Sequence, residues 1–85
     1  MGRTAQREPC AEEFGARIRA TRLRRKLSQE ALGQRSGLSM HYVSSVERGE
    51  RNVSLFNILR LARALDMDAS TLVRNLPEPP DRGRY

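Results

Sequence analysis

Between Ser39 and Gly49 the chain reads Ser-Met-His-Tyr-Val-Ser-Ser-Val-Glu-Arg-Gly. Val43 and Val46 give this stretch an apolar side, while His41, Ser44 and Ser45 supply hydrogen-bond donors and acceptors. They do not make a catalytic set, because His41 has no evident nucleophile or orienting carboxylate beside it. The chemistry they suit is hydrogen bonding to an outside ligand. A hydroxyl-rich helix held with its polar side outward is the element that enters a DNA major groove and meets base edges.

Such a face must be carried by two short helices and a tight turn. Ser28 predicts the N-cap of a helix with Ala31, Leu32 and Arg35, and Gly37 stands where the chain must reverse. Ser39 predicts the cap of the next helix, which buries Val43 and Val46 and stops at Gly49. A first helix is expected over 11–26, with Phe14, Ile18 and Leu23 as its buried stripe. Ser54 predicts the cap of a fourth, whose Leu55, Ile58, Leu59, Ala62 and Leu65 follow the helical repeat. Asp68 predicts the cap of a short fifth with Leu72 and Val73, ending before Pro77. Gly33 costs a helix roughly 1 kcal/mol against alanine, and close packing on the following helix would offset it. The expectation is an all-α, five-helix fold over 11–76. Residues 1–10 read as a flexible N-terminal arm and 77–85, with three prolines, as a disordered C-terminal tail.

Composition narrows the function classes. The 85 residues carry 16 basic and 10 acidic side chains, a net charge of +6, and the pI is near 11.0. Most of the excess falls in residues 1–27, which hold eight basic and three acidic groups. A basic balance is what phosphate neutralisation requires. A single Cys10 excludes an intramolecular disulfide, and one cysteine with one histidine argues against a metal site. There is no nucleophile–base pair or phosphate-binding loop, so no catalytic residue and no cofactor are assigned. No apolar run approaches a membrane span of about 20 residues, and no signal-peptide core opens the chain. The expected location is the cytoplasm, nucleoid-associated when bound to DNA.

The segment 14–73 resembles the Cro/repressor-type helix-turn-helix regulators, also called XRE-type, whose domains are lambda-repressor-like. The resemblance rests on Ile18, Arg22, Leu27-Ser28-Gln29-Glu30-Ala31-Leu32, Gly37-Leu38-Ser39, Tyr42-Val43-Ser44, Val46-Glu47-Arg48-Gly49, Leu59, Ala62 and Leu65. The compact run from Tyr42 to Ser54 is most similar to the controller proteins of restriction–modification operons. This resemblance implies base reading by Met40, His41, Ser44 and Ser45. Among these four there is no Arg, Asn or Gln, so the strongest bidentate readers are missing. Readout would then draw on Arg48, on the arms or on DNA shape.

The same resemblance implies phosphate contacts from Gln29 at the start of the second helix and from Arg48, Arg51 and Asn52 after the third. Ser39, Ser54, Arg35 and the Tyr42 hydroxyl join that set. It also implies a structural ion pair between Arg22 and Glu47. For each charged or hydroxylated side chain the alternative is ordinary solvated surface.

Phe56 lies off the fourth helix's stripe, and Met67, Leu72, Val73 and Leu76 follow it. This is more apolar surface than a domain of about 65 residues needs. It predicts a homodimer interface, the alternative being closure of a monomer's core. The reading is a sequence-specific DNA-binding transcriptional regulator acting as a homodimer on a near-palindromic operator. Its partners are double-stranded DNA and RNA polymerase, blocked or recruited, with no membrane or small-molecule ligand. Autoregulation would follow, as in a restriction–modification controller. The alternative from another class is an antitoxin or protein-interaction module of a toxin–antitoxin pair.

Overall fold

The computed structural model describes residues 7–79, so most of the expected arm and tail (1–6 and 80–85) lies outside the described residues. Five helices follow in order: α1 Pro9–Arg24, α2 Gln29–Ser36, α3 Met40–Glu47, α4 Leu55–Ala64 and α5 Ala69–Val73. Among the described residues there is no strand. The expected all-α, five-helix architecture is therefore the one found.

Helix α1 begins at Pro9, two residues before its expected start, because proline's missing N–H costs nothing in a first turn. It also ends earlier. Lys26 takes a left-handed φ of 60°, and Leu27 N–H closes back on the Arg22 carbonyl at 3.0 Å. Phe14 and Ile18 are buried as expected, but Leu23 is half exposed. At about 100° per residue, the fifth position after Ile18 swings away from the core. Thr21 and Arg22 take the buried places instead.

All four predicted caps form. Ser28, Ser39 and Ser54 accept from the backbone N–H of Ala31, Tyr42 and Asn57 at 2.9, 3.0 and 3.1 Å, and Asp68 accepts from Ser70 at 3.0 Å. Gly37 ends α2 at φ 75° with open space where a Cβ would stand, so its backbone alone requires glycine. A Cβ on Gly33 would lie 2.6 Å from the Leu38 carbonyl oxygen in the turn and 3.3 Å from the Met40 nitrogen at the start of α3, so the close approach is to the turn and the first residue of the next helix. A tighter approach went unforeseen. A Cβ on Gly15 would stand 2.1 Å from the Val46 carbonyl oxygen, so α1 and α3 meet almost backbone to backbone.

The core gathers Phe14, Ile18, Leu32, Val43, Val46, Leu61, Ala62, Leu65 and Leu72. Helix α4 corrects the expected stripe. Leu61 and Leu65 are buried and Ile58 packs against the core, whereas Leu55 and Leu59 are exposed beside Phe56. The helix thus has two apolar flanks, which its sequence pattern merges into one. The core claims the flank centred on Leu61 and Leu65, and Leu55, Leu59 and Phe56 remain open to solvent.

Candidate nucleic-acid interface

Helix α3 sits across α1 and α2 with Val43 and Val46 fully inside. A two-armed ion pair holds it there. Arg22 donates from Nε and Nη2 to the two carboxylate oxygens of Glu47 at 2.6 and 2.9 Å, and from Nη1 to the Leu27 carbonyl at 2.9 Å. The side chains are 9% and 3% exposed. The Glu47 hydrogen bond raises the Arg22 pKa above its ordinary value, against the opposing effect of burial. The pair implied by resemblance is therefore present, and it locks α1 to α3.

On its outer side α3 exposes Met40 and His41, with Ser44 half-buried. Ser45 does not join them. It is 5% exposed, donates to the Tyr42 carbonyl at 2.7 Å and accepts from Arg51 Nε at 2.9 Å. Helical spacing puts Ser45 outside, but the chain returning through Arg51 covers it. The outer residues expected to read bases contract to Met40, His41 and Ser44.

The loop after α3 is organised by arginines. Arg51 stacks over the Tyr42 ring at 5.4 Å, and the Tyr42 hydroxyl accepts from Asn57 Nδ2 at 3.2 Å. Arg48 grips both oxygens of Glu50, from Nε at 3.0 Å and Nη2 at 3.1 Å. Its Nη1 reaches back to the Ser44 hydroxyl. Arg7, ahead of α1, also donates to Glu50, at 2.9 Å. These contacts, Arg48 first, hold the Glu50 carboxyl below its ordinary pKa. Glu50, Asn57 and Arg7 were not singled out in the sequence. Only a fold that brings residues 7 and 50 together makes them neighbours.

The remaining expected phosphate ligands differ in how far their polar groups are already engaged. Gln29 opens α2 with its amide nitrogen on Glu47 Oε1 at 3.1 Å, leaving one further N–H. Arg35 and Asn52 are exposed. Ser39 and Ser54 spend an acceptor on their caps and keep a hydroxyl proton to donate. Of the residues expected at a dimer interface, Phe56 is 72% exposed and Val73 also faces outward. Met67 and Leu76 are partly buried against the core. Leu72 is 0% exposed within its own subunit, and that corrects its assignment to a surface. Among the described residues no three His, Cys, Asp or Glu converge as metal ligands. No described helix is long and apolar enough to cross a membrane.

Comparison with known proteins decides the family, since a helix-turn-helix domain model matches residues 13–75. The chain belongs to the helix-turn-helix domain family. This family is one of DNA-binding transcription regulators and not of enzymes. The chain is 41% identical over 61 residues to the control protein C.BamHI of Bacillus amyloliquefaciens, covering 71% of this chain and 75% of that one. Among solved helix-turn-helix structures it is similar to the restriction–modification controller protein C.AhdI from Aeromonas hydrophila. There the identity is 53% and the TM-score 0.72, over 73% of this chain and 94% of that one. The P22 c2 repressor, solved in complex with a synthetic operator, matches at 38% identity and TM-score 0.68, over 72% of this chain and 92% of that one. The expected repressor-like fold is the one these structures share.

Proposed function

We propose that this protein is a sequence-specific DNA-binding transcriptional regulator that acts as a homodimer on a near-palindromic operator. The observation that carries the reading is α3 itself. A short, hydroxyl- and imidazole-bearing helix is clamped to the core by Arg22 and Glu47, with Met40 and His41 exposed on its outer side and Ser44 half-buried beside them. Rigid placement of an outward polar helix is what groove reading demands. Met40 offers apolar contact to a thymine methyl, and His41 and Ser44 offer hydrogen bonds to base edges.

Around it, Gln29, Arg35, Ser39, Tyr42, Arg48, Arg51, Asn52 and Ser54 form the phosphate-binding rim. The amides at the starts of α2 and α4 add to it. Leu55, Phe56 and Leu59 on α4, together with Val73, form the dimer interface. Two subunits then present their α3 helices one DNA turn apart, about 34 Å. The similarity to restriction–modification controllers supports autoregulation of the protein's own operon, with RNA polymerase blocked or recruited by occupancy, in the cytoplasm.

Enrichment of duplexes from a random pool by the purified protein tests this reading. The expected product is a motif of two inverted half-sites with centres about 10 base pairs apart. A pool that stays random after repeated selection contradicts it.

A further inference from the structure

The uncovered residues of α3 contain no side chain able to make a two-pronged contact with a base. Arg48 lies just past the helix, still in helical conformation at φ −83° and ψ 0°. It therefore continues the face of His41 and Ser44 at the i, i+3, i+7 positions. The hydrogen bond from Nη1 to the Ser44 hydroxyl ties the guanidinium back to that face. Glu50 holds the Nε–Nη2 edge from the other side through both carboxylate oxygens.

We propose that Arg48 is the protein's guanine reader, and that Glu50 is the positioning residue that aims it. This rests on the DNA-binding reading above and moves Arg48 out of the phosphate rim. An arginine has five N–H bonds. Glu50 takes two and Ser44 takes one, which leaves one N–H on each terminal nitrogen, Nη1 and Nη2. That pair of donors is the one guanine O6 and N7 accept in the major groove. Glu50, which also accepts from Arg7, takes up part of the Arg48 charge and fixes the direction of its remaining donors. Arg51 and Asn52, farther along the loop, are left for the backbone. The Glu50 carboxyl, held below its ordinary pKa chiefly by Arg48, is the ionised partner this aim requires.

The test uses the motif enriched by the wild-type chain. Affinities are measured by fluorescence anisotropy for duplexes in which each G·C pair of a half-site is changed in turn to A·T. A parallel set carries 7-deazaguanine, which removes only N7. Wild type is expected to discriminate one G·C pair by roughly 5- to 150-fold. R48A abolishes discrimination at that pair and leaves the other positions as they were. R48K, which keeps the charge without the fork, loses most of it as well. E50Q binds a scrambled duplex at least as tightly as wild type, since a negative charge near phosphates is gone, but discriminates less at the same pair. A packing defect would not produce that opposite pair of changes.

The proposal is overturned if R48A weakens every duplex, scrambled included, by one common factor while the discrimination profile is unchanged. An E50Q profile identical to wild type overturns the positioning role. Failure of the wild-type chain to prefer any duplex has a different signature and takes the regulator reading down first.

Discussion

Arg22 of α1 and Glu47 of α3 meet through two parallel hydrogen bonds of 2.6 and 2.9 Å, with both side chains nearly sealed from water. One end of this pair is on α1 and the other is the last residue of α3. The pair thus fixes the angle at which α3 leaves the core. Gln29 adds a third hydrogen bond to the same carboxylate and ties in the start of α2.

Removing Glu47 strands Arg22 in a site with little water. E47A is expected to lower unfolding free energy by about 3–5 kcal/mol, read from urea denaturation followed by circular dichroism. Replacing both partners, as in R22M/E47L, recovers most of that loss, because the desolvated charge goes with its partner. A double variant as unstable as E47A would show that packing, not charge, holds this contact.

Gly15 is a second point of close α1–α3 contact, beside the Arg22–Glu47 pair. In an open helix, Gly15→Ala would stabilise by up to about 1 kcal/mol. Here the new methyl would stand 2.1 Å from a backbone oxygen that cannot rotate away. The expected outcome is a net loss of about 1–3 kcal/mol, measured as a lower urea midpoint with unchanged slope. A gain would mean that the two helices can separate freely.

Much of this architecture was legible in the sequence because its signals are local. Ser28, Ser39, Ser54 and Asp68 each sit where a cap hydrogen bond forms, and Gly37 lies at the left-handed turn. What was illegible depends on chain segments meeting from afar. Ser45 is outward on its own helix and becomes covered only when Arg51 folds back. Leu55 and Leu59 fit a helical repeat, but which flank of α4 the core selects is decided by α2 and α5, which pack against it. Leu72 looked like surplus surface because the depth of the α5 seat is a tertiary property.

Acid should erode stability through carboxylates whose folded pKa is depressed. Asp68 is lowered chiefly by the backbone hydrogen bond from Ser70, and Glu50 chiefly by Arg48. Groups of this kind stabilise fully above the ordinary carboxylate pKa of about 4, and the contribution fades as pH falls through the lower folded value. Urea midpoints are expected to hold from neutral pH down to about 5 and then decline. D68N keeps the cap acceptor and should flatten part of that acid decline. An identical acid limb in D68N would remove Asp68 from the account.

Phe56 presents its ring to solvent beside Leu55 and Leu59. In a two-fold interface each substitution counts twice, and burying a phenylalanine contributes about 1.5–3 kcal/mol. F56A should therefore weaken dimerisation by roughly 100-fold or more, seen in sedimentation velocity as a shift to monomer at concentrations where wild type is dimeric. Unchanged sedimentation would place the interface elsewhere.

The most direct measurement is of contacts between α3 and DNA in solution. An isotope-labelled protein bound to its enriched duplex would be searched for intermolecular nuclear Overhauser effects. The account predicts cross-peaks from Met40 and His41 side chains to major-groove base protons and thymine methyls, with none from Ser45. Cross-peaks that arise instead from α4 or α5, with α3 silent, would contradict it.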